Sequence, residues 1–75
     1  MSSDVSSLAL LLNGEPCTLP AGSTIADLVA ALTGDPGRTG IAVAVDRTVV
    51  PRSEWQSTPA RAGSQVEVVT AAAGG

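Results

Sequence analysis

The sequence contains no histidine, no lysine, no phenylalanine and no tyrosine, and its only cysteine is Cys17. Without histidine, the usual general base and the most common metal ligand are both missing. A single cysteine excludes an internal disulfide and a multi-cysteine zinc site. Four scattered arginines and a net charge of −3 argue against nucleic-acid binding. These absences argue against an ordinary enzyme, and we expect no catalytic residue, no metal site and no bound cofactor.

Length and composition favour one small packed domain. A chain of 75 residues removes only about 60% of its surface from water on folding, so a deep active-site cleft is not expected. Hydrophobic residues make up 44% of the chain, which is too apolar for a disordered segment. No apolar stretch reaches the roughly 18 residues of a membrane span, and the N-terminus has no basic signal region. We therefore expect a cytoplasmic protein without membrane contact.

The first half of the chain predicts a β-hairpin followed by one helix. After a polar leader at 1–7, an apolar run at 8–12 leads into Asn13-Gly14, a dipeptide that favours a tight hairpin turn. Thr24 and Asp27 have the spacing of a capping box, and Gly34 is placed to end the helix. One helical stripe, spaced i, i+3, i+4 and i+7, consists of Ile25, Leu28, Val29 and Leu32.

The second half predicts mainly strands. β-branched residues alternate over 41–45, which predicts a strand. Asp46-Arg47 provides a turn, and residues 48–50 form the strand that runs back beside the first. Pro51 is placed to open a helical turn through Trp55, and 65–70 predicts a last strand. The fold class is therefore α+β, with a mixed sheet of four to five strands and one main helix packed on one face. We expect a flexible leader at 1–7, a domain at 8–70 and a flexible tail at 71–75.

One feature carries chemistry, and it is the end of the chain. Gly74-Gly75 forms a thin arm without side chains, which can enter a narrow channel in another protein. An α-carboxyl group has a pKa of about 3.3–3.7, so it is ionised at neutral pH and can attack the α-phosphate of ATP in an adenylating enzyme. Two terminal glycines also arise by chance in roughly 0.5% of chains. The alternative is a small interaction domain whose tail has no function.

The residues resemble the ubiquitin-like β-grasp proteins, and within them the ThiS sulfur carriers of thiamine biosynthesis. The resemblance covers residues 8–75. Its most specific segment is Val50-Pro51-Arg52 with Trp55, which other β-grasp carriers usually lack. The other matching segments are Asn13-Gly14-Glu15, Thr24-Ile25-Ala26-Asp27-Leu28, Val43-Ala44-Val45-Asp46, Ala62-Gly63-Ser64-Gln65-Val66 and Gly74-Gly75.

The resemblance implies a β-grasp fold and a sulfur-carrier role. In that family a ubiquitin-activating-type (ThiF-like) enzyme consumes ATP to adenylate the terminal carboxylate. Sulfur from a persulfide donor converts it to a thiocarboxylate, which supplies a ThiG-like thiazole synthase. By position, Gly75 is the adenylation and thiocarboxylate site, and Gly74 is the neighbour required for tail recognition. The carrier is not itself an enzyme, and we expect a monomer when it is free.

Two other functions share the fold and the Gly-Gly end. One is the small subunit of molybdopterin synthase, which carries sulfur for the molybdenum cofactor. The other is a ubiquitin-like protein modifier, which forms covalent adducts on target lysines. The segment from Val50 to Trp55 favours the thiamine carrier, and the absence of lysine argues against a modifier that builds chains on itself.

Other residues have competing interpretations. By strand alternation, a candidate partner-docking face consists of Leu11, Ala42, Ala44 and Val69; scattered surface apolar residues are the alternative. Cys17 is in phase with Leu19, which favours core packing over a redox role. For Trp55, a lid on the core beside Pro51 is favoured over partner recognition.

Overall fold

The computed structural model describes residues 7–70 of the chain, which form five strands, one α-helix and one 3-10 helix. β1 begins at Ser7, one residue before the predicted start of the domain. The rest of the predicted leader and the predicted tail lie outside the described residues. The elements are β1 (Ser7–Leu12), β2 (Glu15–Pro20), α1 (Ile25–Thr33), β3 (Ile41–Val45), β4 (Thr48–Val50), the 3-10 helix (Arg52–Ser57) and β5 (Gln65–Thr70).

The strands form one mixed sheet in the order β2-β1-β5-β3-β4. β1 and β5 are parallel, and the other neighbouring strands are antiparallel. The last strand in sequence is therefore the central strand of the sheet. The predicted α+β class with a mixed sheet and one main helix is confirmed, and the sheet has five strands.

Both hairpins turn through two residues in the left-handed backbone region. Asn13 and Gly14 have φ of 52° and 84°, and Asp46 and Arg47 have φ of 49° and 73°. Two consecutive positive φ values define a type I′ turn, and the twist of this turn matches that of the flanking strands. Asparagine, aspartate and glycine tolerate this region better than other residues. Both predicted turns are confirmed.

Helix α1 begins and ends where its capping residues predict. The Asp27 amide donates to Thr24 Oγ1 at 3.2 Å, and the Thr24 amide donates to Asp27 Oδ2 at 2.8 Å. Each bond satisfies an N–H group that a helix start leaves without a partner. At the other end Gly34 has a φ of 84°, and its amide donates to the Ala30 carbonyl at 2.7 Å.

The last turn of α1 differs from the prediction. Leu32 was expected on the buried stripe, but its side chain is 48% exposed. The following residues 35–40 are all exposed, so this loop does not pack over the end of the helix. The buried residues of α1 come from its first two turns: Ile25, Ala26, Leu28 and Val29.

A single core lies between α1 and one face of the sheet. Its strand residues include Leu10, Leu19, Val43 and Val66. Trp55 closes the core beside β4, as the lid interpretation predicts; it is 2% exposed and its Nε1–H donates to the Val50 carbonyl at 2.9 Å. Pro51 caps the 3-10 helix rather than forming its first residue.

Candidate functional site

The candidate site is the end of β5 at Thr70, the last described residue, which we call the tail root. β5 pairs with β3 along its length, and the last pair joins Thr70 to Ile41. On its other side β5 pairs with β1 only at its start, through Leu11 with Gln65 and Leu12 with Val66. Gly74 and Gly75 lie outside the described residues, so their predicted roles stay predictions.

Two hairpin-turn side chains extend the pairing of β5 at its two ends. At the start, Asp46 Oδ1 accepts from the Gln65 amide at 2.9 Å. Near the end, Asn13 Oδ1 accepts from the Val68 amide at 2.9 Å, and Asn13 Nδ2 donates to the Val68 carbonyl at 3.2 Å. Both residues were predicted only as turn formers, because their contacts with β5 are distant in sequence.

The number of residues after Thr70 limits how far Gly75 can lie from the domain. Five residues follow Thr70 in the sequence, and a fully extended chain of that length spans at most about 18 Å. If Gly75 reacts as the sequence predicts, an enzyme that acts on it would have to bring its catalytic centre within about this distance of the tail root. Surface residues near the root are the first candidates for contact with that enzyme.

The predicted docking residues lie on the sheet face opposite α1, but they do not form one continuous patch. Ala42 and Val69 are directly paired, and Val69 is 57% exposed. Ala44 is paired with Glu67, whose carboxylate interrupts the apolar surface. Leu11 is paired with Gln65 on the far side of β5. The pair Ala42 and Val69 lies next to the tail root, and Leu11 lies apart from it.

One further residue of this face, Val49, was not predicted. Val49 is 69% exposed, the highest value among the large hydrophobic residues described, and it is paired with Ala44. Alternation along β4, with Val50 packed against the core, was the available signal. Val49 extends the apolar surface toward the β4 edge of the sheet.

An open cleft lies beside the tail root, between the end of α1 and the start of β3. Its volume is about 550 Å³, and its lining includes Leu32, Arg38, Ile41 and Thr70. Leu32, which is exposed at the end of α1, lines this cleft. Among residues 7–70, no group of three or more histidine, cysteine, aspartate or glutamate side chains is placed to hold a metal ion.

The two remaining candidates, Cys17 and Trp55, both pack with core residues. Cys17 is half-buried, opposite Leu10 in the first hairpin, and it packs against the core. Trp55 is buried within the core cluster. The helices of the described part of the chain are all too short or too polar to cross a membrane.

The five-stranded order β2-β1-β5-β3-β4 with one helix across one face defines a β-grasp protein. A model of the ThiS family matches residues 10–75, so the chain belongs to the ThiS family. This membership supports a sulfur-carrier role in thiamine biosynthesis.

A solved structure has the same fold. The chain is similar to the thiamine biosynthesis protein ThiS from Geobacter metallireducens, with a TM-score of 0.72 and 23% sequence identity. The match covers 84% of this chain and 93% of that protein. The search of curated proteins gives no match.

Proposed function

We propose that this protein carries sulfur as a thiocarboxylate on Gly75 for formation of the thiazole ring of thiamine. The observation that carries the proposal is the ThiS family match, which extends through Gly74-Gly75 to the last residue. The β-grasp domain supports it, because β5 is central in the sheet and only three alanines separate its last residue from Gly74-Gly75 in the sequence. The domain presents the carboxylate, and partner enzymes perform the chemistry.

The proposed reaction has three covalent steps before sulfur delivery. In the first, a carboxylate oxygen of Gly75 attacks the α-phosphate of ATP, and pyrophosphate leaves. In the second, the terminal sulfur of a persulfide attacks the acyl carbon and AMP leaves, which forms an acyl disulfide. A thiol then reduces the sulfur–sulfur bond, releasing the thiocarboxylate and leaving a disulfide on the donor side.

The partners follow from this chemistry. A ubiquitin-activating-type (ThiF-like) enzyme binds and consumes the ATP, and a ThiG-like thiazole synthase receives the sulfur. The carrier itself is not an enzyme and holds no cofactor. ATP, persulfides and reducing thiols occur together in the cytoplasm, which is where we place the reaction. The free carrier is a monomer that meets these partners in turn.

The surface near the tail root supports docking of both partners. At most about 18 Å separates Thr70 from Gly75. An enzyme that holds the tail must therefore approach the end of the sheet at which β5 finishes, near Thr70. Val69 and Ala42 form an exposed apolar pair at that position. Leu11 and Ala44 belong to the same proposed docking face but are farther along the strands from the root.

Intact-mass analysis tests the proposal. The protein is incubated with ATP, the cognate adenylating enzyme, a cysteine-derived persulfide source and a thiol reductant. We expect a mass gain equal to the replacement of one oxygen by sulfur, located by fragmentation on Gly75. The isolated thiocarboxylate should then transfer its sulfur to the thiazole product of thiazole synthase.

The matched control is a variant that lacks Gly75. It should give no sulfur-containing product, and its melting temperature should equal that of the unmodified chain. The proposal is wrong if the chain gains no sulfur under conditions in which a known carrier does. It is also wrong if the natural protein extends beyond Gly75 and is not processed.

A further inference from the structure

We propose that Asn13 is a positioning residue, whose carboxamide fixes the end of β5 and so sets the direction in which the tail leaves the domain. This inference rests on the proposed function, because it concerns how the Gly75 carboxylate is presented. It adds a role for a residue of the first hairpin turn, 55 positions from its partner in the sequence. The Asn13 side chain hydrogen-bonds a single residue, Val68.

The carboxamide of Asn13 takes the place of a further peptide unit of β1. β1 ends at Leu12, whereas β5 runs on to Thr70. The Asn13 amide donates to the Val66 carbonyl at 2.8 Å, which is the last backbone bond between the turn and β5. The side chain then bonds both backbone groups of Val68, accepting at 2.9 Å and donating at 3.2 Å. Pairing on this side thereby continues two residues closer to the tail.

The requirement for asparagine is specific. The residue must adopt a φ of 52° and must also offer one donor and one acceptor. Glycine meets the first condition and lacks the side chain. Aspartate meets the first condition and keeps an acceptor for the Val68 amide, but it sets a carboxylate oxygen against the Val68 carbonyl. Asparagine alone among the residues that favour this turn supplies both bonds.

The expected functional effect is on binding rather than on chemistry. Without the carboxamide, the Val68 backbone has no partner on its β1 side, and the tail root is held only through β3. Docking then has to order residues that are already ordered in the unmodified chain, which raises KM. The reacting carboxylate lies farther along the chain and is oriented by the enzyme, so kcat should not change.

Asp46 provides a matched control at the opposite end of the same strand. Like Asn13, it is a hairpin-turn residue with positive φ, and its side chain bonds a β5 backbone group. Its partner is Gln65, the first residue of β5, which is remote from the tail root. Asp46→Gly therefore removes a turn side chain from β5 without freeing the root.

The experiment compares Asn13→Gly, Asn13→Asp and Asp46→Gly by hydrogen exchange and by ATP–pyrophosphate exchange with the cognate adenylating enzyme. In Asn13→Gly, the Val68 amide should exchange about fivefold faster or more. KM should rise about tenfold with kcat unchanged, as expected when about one further residue must be ordered. In Asn13→Asp, the exchange rate of the Val68 amide should lie between the rates in Asn13→Gly and in the unmodified chain. Asp46→Gly should accelerate exchange at Gln65 and leave KM unchanged.

The inference is overturned if Val68 exchange is unchanged in Asn13→Gly, or if Asn13→Gly and Asp46→Gly raise KM equally. A fall in kcat without a change in KM also contradicts it. Failure of the proposed function has a different signature: the unmodified chain itself gives no ATP–pyrophosphate exchange, whereas the hydrogen-exchange result at Val68 is obtained without any enzyme.

Discussion

At the scale of single residues, backbone positions with positive φ decide where the chain turns. Asn13, Asp46 and Arg47 are the non-glycine residues in this region among those described, and all three lie in hairpin turns. Gly34 ends α1 in the same region, with a φ of 84°. An L-residue with a Cβ is strained there by contact with its own backbone. The identity of such residues is therefore tied to local geometry rather than to packing.

We predict that Gly34→Ala lowers the free energy of unfolding by about 1 kcal/mol. Apart from the backbone near Gly34 in sequence, no heavy atom of the described residues lies within 4 Å of the position of an added Cβ, so the cost comes from the backbone conformation and not from a clash. Urea unfolding followed by circular dichroism measures the change.

Gly37→Ala is the matched control for this prediction, three residues farther along the same loop. Gly37 has no positive φ, and its added Cβ would make only ordinary contacts, at 3.9 Å from Arg52 Nη1 and Asp35 Oδ1. We expect no loss of stability, or a gain of about 0.4–1 kcal/mol from the restricted unfolded chain. Equal destabilisation by both substitutions would contradict the backbone explanation.

At the scale of elements, the two faces of the sheet differ in what packs against them. The face toward α1 carries the core residues of the strands, such as Val43 and Val66. No element of the described residues 7–70 packs on the other face, where Val69 and Val49 are exposed. Glu67 divides this outer face into an apolar part near the tail root and a part that includes Leu11.

We predict that Val69→Glu weakens docking to the adenylating enzyme while the fold stays intact. A carboxylate buried in an apolar contact loses hydration without gaining a partner, so KM in ATP–pyrophosphate exchange should rise about tenfold or more. Because Val69 is exposed in the free chain, the free energy of unfolding should change by less than about 0.5 kcal/mol.

Thr18→Glu provides the comparison for this prediction. Thr18 is an exposed residue of β2, on the same outer face but in the edge strand on the other side of β1. Thr18→Glu adds the same charge as Val69→Glu, but away from the tail root. The adenylation kinetics of this variant should match those of the unmodified chain. Unchanged kinetics in Val69→Glu would show that the outer face near the tail root is not part of the docking surface.

At the scale of the whole molecule, one core connects every element. Trp55 belongs to this core and also hydrogen-bonds β4 through the Val50 carbonyl, so the 3-10 helix is tied to the sheet. The chain contains no other tryptophan and no tyrosine, and the fluorescence of Trp55 therefore reports on the core alone. A domain of this size with a single core has no independent part that can unfold separately.

We predict a single cooperative unfolding transition. The emission of Trp55 should shift to longer wavelength at the same urea concentration at which the far-ultraviolet circular dichroism signal is lost. A fluorescence midpoint clearly below the circular dichroism midpoint would show that the 3-10 helix separates from the sheet before the domain unfolds.

The sequence by itself determined the local features. Asn13-Gly14, Asp46-Arg47, the Thr24–Asp27 capping box and Gly34 were all predicted correctly, because each depends on contacts within a few residues. The bounds of β5 were also predicted correctly, since alternation and flanking turn residues define them. The family and its β-grasp fold followed from segments such as Val50 to Trp55 together with the element order. The role of Gly75 stays a prediction.

Only the tertiary structure decided which distant groups meet. The parallel pairing of β1 with β5 brings the Asn13 carboxamide to Val68, and no local pattern encodes that contact. The same pairing separates Leu11 from Val69, and the extent of the packed layer leaves Leu32 exposed. The physical reason is that turns and caps are satisfied by neighbours in sequence, whereas strand order and burial depend on how all elements share one core.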